Sequence, residues 1–189
     1  MHKTGCRPYN QTRHKCAKET TIFYDIDLHD DEIKLLLRET CEAVPEKNHV
    51  PAYKFSVALR DGTVIGKCDL RIGYNTNTYF GGNIGYSIDE PHRGHRYAAK
   101  ACALLFKLAS MHKMDYVLIT CNVTNVASER TCQIAGGVLI DTAEVPEDSD
   151  LREQGITEVK IYKFPLTETE GYFSRHSHDL ANSTSKKCQ

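Results

Sequence analysis

The residue types best suited to chemistry fall in one stretch, Ile84-Gly85-Tyr86-Ser87-Ile88-Asp89-Glu90-Pro91-His92-Arg93-Gly94-His95-Arg96-Tyr97-Ala98. An alternating apolar segment runs into a short loop containing Gly94, and a helical pattern opens behind it. A helix start presents backbone N–H groups with no intrahelical partner and a partial positive charge, which together favour an anion. Arg93, Arg96 and the neighbouring His95 add side-chain charge, so a pyrophosphate is a natural ligand. An ordinary turn with solvated arginines is the competing reading, and the loop alone leaves both open.

Positioning such a loop takes a strand before it and a helix after it. Ala98, Ala101, Cys102, Leu105, Leu108 and Ala109 recur at helical spacing over four turns, which predicts a long amphipathic helix. Asp115 to Cys121 is nearly unbroken apolar, the pattern of a strand buried on both faces in the middle of a sheet. A second helix is expected over about 126–135, ended by Gly136-Gly137, and strands over 138–143 and 158–166. Upstream, residues 21–28 have strand composition, and Asp30 is placed to cap a helix whose face would carry Ile33, Leu36, Leu37 and Cys41 before Pro45 ends it. Tyr53, Phe55, Val57 and Leu59 alternate as a half-buried strand does, Arg60-Asp61-Gly62 makes a hairpin turn, and Val64-Ile65-Gly66 begins the return strand. A third antiparallel strand from about Tyr79 to Ile88 completes a meander.

Composition narrows the class. In 189 residues, 24 Lys and Arg face 25 Asp and Glu, a balance that gives no general attraction to nucleic acid or to an anionic membrane. No run approaches the roughly 18 apolar residues of a membrane span, and the polar start lacks the apolar core of a signal peptide, so a cytoplasmic protein is expected. Cys68, Cys102, Cys121 and Cys132 sit in apolar or periodic segments and read as reduced, buried thiols. Cys6 and Cys16 with His2 and His14 lack the close pairs of a zinc site, and no metal is expected. Residues 1–20 read as a flexible basic arm, residues 21–166 as one domain, and residues 167–189, with His176 and His178, as a polar flexible tail.

The loop resembles the acyl-CoA loop of the GNAT superfamily of N-acetyltransferases, whose pattern is Arg or Gln, two residues, Gly, one residue, then Gly or Ala. Arg93 matches the first position and Ala98 the last, while Arg96 stands where the family has its middle Gly. Asn125, Ala127 and Ser128 resemble the Asn-x-x-Ser start of the family's later helix, and Gly136 the Gly that ends it. With the Gly85-Tyr86 pair before the loop, the chain is most similar to the branch holding the ribosomal-protein N-terminal acetyltransferases. The resemblance implies an α+β (α/β) fold: a mixed, mostly antiparallel twisted sheet of about six or seven strands, helices on both faces, and a splayed parallel pair at the acyl-CoA site.

It also implies an activity, acetyl transfer from acetyl-CoA to a primary amine directly within a ternary complex. Tyr86 would supply the catalytic backbone N–H that polarises the thioester carbonyl. Ile88 would pair with the pantetheine arm through its backbone, and Arg93, Gly94, His95, Arg96, Tyr97 and Ala98 would cradle the pyrophosphate. Asn125 and Ser128 would lie along the same arm, although capping alone also accounts for them. Two outcomes compete at Arg96: a right-handed helical backbone in the first turn, favoured by its place at a helix start, or a conformation suited to Gly alone. Cys132 falls where many family members carry a Tyr that protonates the departing thiolate. Residues 79–88 hold no Glu, Asp or His to act as a base, which leaves Asp69, Glu42 or a water relay. The partners implied are acetyl-CoA and an amine acceptor, either a small molecule or a protein N-terminus, in a monomer or homodimer, with no nucleic acid and no membrane. A catalytically idle acyl-CoA sensor of the same fold is the alternative.

Overall fold

A computed structural model of the chain describes residues 22–166. The arm, the tail, Thr21 and the Cys6, Cys16, His2, His14 group lie outside the described residues. Two antiparallel sheets form an α+β architecture, one of five strands in the order β1-β2-β3-β4-β5 and one of three in the order β6-β8-β7. In the first, β1 (Leu28–His29), β2 (Ile33–Cys41), β3 (Ala52–Leu59), β4 (Val64–Arg71) and β5 (Ile84–Ile88) are neighbours in chain order, which makes β5 an edge strand. The meander is therefore real. It is longer by two strands than the three its sequence suggests, because the expected first helix is β2 and Leu28–His29 pairs with it as β1.

That segment satisfies both periods. Ile33, Leu36, Leu37 and Cys41 fit a helix face, yet Ile33, Leu35 and Leu37 also alternate. Eight cross-strand pairs with β3, from Ile33 opposite Leu59 to Cys41 opposite Ala52, decide for the strand, and a register shift at Leu37/Glu39 accommodates Arg38. Asp30 caps a turn instead of a helix, its Oδ1 accepting from the N–H groups of Glu32 and Ile33 at 2.8 and 2.7 Å. Of the described residues 22–28 only Leu28 joins the ladder. The strand expected from Tyr79 begins five residues later, at Ile84, because Asn75 and Thr78 form a reciprocal capping box that opens a short helix, α1 (Thr76–Gly81).

The core lies between the first sheet and α2 (Tyr97–Met111), which buries Ala101, Cys102, Leu104, Leu105, Leu108 and Ala109. From α2 the chain enters β6 (Tyr116–Asn122), then α3 (Val126–Ile134), ended by Gly136 at φ +86°, then β7 (Val138–Glu144), α4 (Asp150–Glu153) and β8 (Glu158–Pro165). Val117, Ile119 and Cys121 of β6 face the α2 side, and Leu118 faces a smaller cluster with Tyr79 and Phe80 of α1. Both faces of β6 are thus buried, as its apolar run implies, and helices cover both sides of the molecule there. The strand is nonetheless at the border of its sheet, where it meets β5.

The two sheets meet at one fully buried residue. The Asn83 N–H donates to the Leu118 carbonyl, and its side-chain Oδ1 accepts from the Leu118 N–H at 2.9 Å. On the other side the Asn83 Nδ2 donates to the carbonyls of Arg71 and Gly73 at 3.1 and 2.9 Å, and the Asn83 carbonyl accepts from the Arg71 N–H at 2.8 Å. Beyond this point no ladder joins β5 to β6, so the two strands part. The protein should lose about 3 kcal/mol of stability in Asn83→Ala, because three buried backbone groups lose their side-chain partner. Urea denaturation checks this, and a loss under about 1 kcal/mol would show that the junction holds by backbone bonds alone.

Candidate active site

The parting of β5 from β6 leaves β5 with an open edge, and the ladder to β4 says which groups line it. Arg71 N–H donates to the Asn83 carbonyl at one end, and Asp89 N–H donates to the Ile65 carbonyl at the other. Between these ends the register is unbroken, with Gly85 opposite Asp69 and Ser87 opposite Lys67, so the odd-numbered residues turn their backbone groups to β4. The N–H and carbonyl groups of Ile84, Tyr86 and Ile88 therefore point the other way, into the gap. Arg93 Nε reaches the Ile88 carbonyl from the gap side at 2.9 Å.

Tyr86 sends its side chain to the core face, where it packs against the main cluster. Its hydroxyl lies 2.9 Å from Ser128 Oγ and 4.0 Å from Cys132 Sγ, both on α3. Burial pushes the Tyr86 hydroxyl well above its ordinary pKa, so it stays protonated. A hydrogen bond with Cys121, and then burial, push the Cys132 thiol up as well. A protonated and fully buried thiol is a poor nucleophile, which argues against a cysteine intermediate. Of the predicted residues, Tyr86 and Ser128 are thus brought together. Asn125 caps α3, its Oδ1 accepting from the Ser128 N–H at 3.0 Å. The same cap fixes where Ser128 stands.

The basic loop is a 3-10 turn, Glu90–His92, followed by Arg93, Gly94 at φ +88°, His95 and Arg96. Arg93, Gly94, His95 and Arg96 are exposed, Tyr97 and Ala98 half-buried, and the rings of His95 and Tyr97 stack with centroids 5.4 Å apart. Arg96 is the N-cap of α2 at φ +62°, ψ +16°, and no side chain caps the helix. The right-handed conformation expected there is therefore not what forms: Gly94 and Arg96 both sit in the left-handed region, and the chain turns into α2 through them. Only Gly adopts that region freely, which explains why the family's pattern has Gly at this position. The first N–H groups of α2 are left without a side-chain partner, and the arginines stand outside the turn.

Three arrangements escape sequence reading, although Asp69 itself is among the expected bases. Asn83, in the run Gly81-Gly82-Asn83, gives only a turn signal. Asp69 is held by Arg71, whose Nη2 lies 3.0 Å from its Oδ2, while Arg71 Nη1 donates to the carbonyls of Gly81 and Gly82 at 3.1 and 3.0 Å. Lys160 Nζ donates to both carboxylate oxygens of Glu129 at 2.8 Å, and the Tyr162 hydroxyl donates to Glu129 Oε1 at 3.2 Å, which ties α3 to β8 and so keeps Ser128 near Tyr86. Glu42, by contrast, follows the end of β2 and lies on no helix.

A model of the acetyltransferase (GNAT) domain family matches residues 10–138, and the chain belongs to that family. The match takes in the open-edged β5, the basic loop and α3, and ends at the first residue of β7. A putative ribosomal-protein-serine acetyltransferase from Vibrio cholerae superposes with a TM-score of 0.54 at 14% identity, covering 75% of this chain and 98% of that one. RimL, a ribosomal L7/L12 α-N-protein acetyltransferase solved in complex with coenzyme A, superposes with a TM-score of 0.55 at 13% identity, with the same coverage of 75% and 98%. At these identities the two structures show the shared fold. No curated protein matches the sequence significantly.

The backbone at residue 96 makes a separable prediction. Arg96→Gly and Arg96→Ala both remove the guanidinium, but only Gly removes the left-handed strain. Arg96→Gly should be the more stable of the two by about 1 kcal/mol in urea denaturation. Equal stability would mean that the turn relaxes without cost.

Proposed function

We propose that the chain is an acetyl-CoA-dependent N-acetyltransferase that passes an acetyl group directly from the thioester to a primary amine, with residues 21–166 as its catalytic domain. One observation carries the reading: an edge strand with outward-facing Tyr86 and Ile88 backbone groups leads straight into a helix whose first N–H groups have no side-chain cap. An extended pantetheine arm matches the first feature, as a peptide added to a sheet edge would, and a pyrophosphate matches the second. The coenzyme A bound by RimL agrees with that choice of ligand.

On this reading the Tyr86 N–H donates to the thioester oxygen, and its bond strengthens as that oxygen gains charge, a contribution of about 3 kcal/mol to the barrier. Gly94, His95, Arg96, Tyr97 and Ala98 form the pyrophosphate cradle by backbone and charge. Arg93 contributes by a different route, since its guanidinium braces the Ile88 carbonyl at the mouth of the gap. The Tyr86 and Ser128 hydroxyls, bonded to one another, wall the gap on the core side. Asn125 serves the site by capping α3.

Acetyl-CoA, CoA and desulfo-CoA should bind with affinities in the micromolar range and within a few-fold of one another, because backbone groups and charge hold the ligand and the thiol does not. Isothermal titration tests this, and no heat at millimolar ligand overturns it. Turnover should favour acceptors whose amines lose a proton readily. An α-amino group near pKa 8 needs much less free energy for that at pH 7 than a lysine side chain near 10.4. Rates for matched α- and ε-amines, measured from pH 7 to 9, check the point. Equal rates at pH 7 with a flat profile would contradict it.

A further inference from the structure

We propose that the acceptor amine enters from the face of the first sheet opposite α2, and that Asp69 receives its ammonium group there; this rests on the acetyl-transfer reading above. The argument begins with the geometry of attack. A thioester lying along the edge of β5, its oxygen on the Tyr86 N–H, has its plane close to that of the sheet, as peptide groups in a strand do. A nucleophile meets a carbonyl carbon from above or below such a plane, hence from one sheet face or the other. The core face is filled: the Tyr86 ring, Ser128 and the fully buried Cys132 occupy it. Among the described residues, the opposite face has only Asp69 against β5 at this point, because β5 carries Gly85 there, paired with Asp69 of β4.

Asp69 uses the space that Gly85 leaves. A Cβ at residue 85 would come within 2.6 Å of Asp69 Oδ1, so the carboxylate leans over the backbone that immediately precedes the Tyr86 N–H. Its two oxygens have different surroundings. Oδ2 faces Arg71 Nη2 at 3.0 Å, and Arg71 is itself pinned by the carbonyls of Gly81 and Gly82. Oδ1 is the oxygen over Gly85. The other charges in the same cross-strand row, Glu39 and Lys54, pair with each other at 3.1 Å. Asp69 Oδ1 is thus an anchored anion beside the reacting carbonyl, suited to a cationic primary amine.

In the step that follows, the amine loses a proton to water and its nitrogen bonds to the carbonyl carbon. The nitrogen gives up its second proton to water as the C–S bond breaks, and the sulfur leaves as a thiolate that takes a proton from solvent. Asp69 holds and aims the amine, with no covalent part.

Two CoA thioethers probe the idea without knowledge of the acceptor: S-ethyl-CoA, and S-(2-aminoethyl)-CoA, which carries an ammonium just past the sulfur. The parent protein should bind the aminoethyl compound about tenfold more tightly at low salt, as expected for a charge-assisted bond, and the difference should shrink as salt rises. Asp69→Asn keeps an oxygen for Arg71 and should abolish the preference while leaving S-ethyl-CoA affinity within about twofold. Gly85→Ala, which displaces the carboxylate, should act in the same direction. Equal binding of the two probes by the parent, or a preference that survives in Asp69→Asn with its fold intact by circular dichroism, overturns the proposal and leaves the CoA site standing. Failure of both probes and of CoA itself to bind overturns the acetyl-transfer reading and this proposal together.

Discussion

The fully buried amide of Asn83 is the constraint on which the rest depends. Its side chain and backbone bond to Leu118 on one side and to Arg71 and Gly73 on the other, which fixes β5 and β6 at a single point. A continuous ladder there would have given one seamless sheet with the facing groups of β5 and β6 satisfied by each other. Confining the contact to one residue joins the sheets and still lets the strands diverge immediately beyond it. Gly82 lets this happen: it sits at φ +73°, where a Cβ would crowd the Leu118 carbonyl and the Thr120 N–H at 3.1 Å. Both strands then run on in the same direction, since Asn83 lies against Leu118 and Tyr86, three residues later, lies against Cys132 and its bonded neighbour Cys121.

From that junction onward, the two-residue period of β5 divides the work. Ile84, Tyr86 and Ile88 give their side chains to the core and their backbone groups to the gap. Gly85 and Ser87 do the reverse, backbone to β4 and side chains to the outer face. The proposed binding by backbone therefore costs the core nothing, because the residues that line the gap are the same ones that pack. A one-residue slip of the register would exchange both sets at once. The paired bonds at Asn83 and Asp89 make such a slip expensive at either end.

How much of this was legible in the sequence depended on how local the signal was. The alternation of Tyr53 to Leu59, the helix over 97–111 and the cap at Gly136 are local patterns, and each forms as expected within a residue or two. Residues 33–41 satisfied two periods, and only their long-range pairing with β3 separates strand from helix. The consequence reaches the proposed acceptor side, since the row of Glu39, Lys54, Asp69 and Gly85 exists in full only because residues 33–41 form a strand. The basic loop was visible by composition and position. Its backbone was not, since nothing in Arg93-Gly94-His95-Arg96 reveals that a non-glycine residue takes the left-handed turn.

That left-handed turn also explains how an arginine can stand where the family's pattern has Gly. At φ +62° and ψ +16° the Arg96 side chain lies in the exposed part of the loop, before the first turn of α2. The helix N–H groups behind it have no side-chain cap, so the surface proposed to face the ligand is the backbone's. The substitution thus trades local strain, about 1 kcal/mol, for a charge at the rim of the proposed anion site, where screening by solvent limits its reach. Strain of this kind persists only where the surroundings hold it. Here the preceding 3-10 turn is closed by Pro91 and by the Arg93-to-Ile88 bond, and the following helix is pinned by Lys100, which lies 3.5, 3.4 and 3.2 Å from Asp30, Asp31 and Glu32. The turn is therefore held from both ends by contacts outside it.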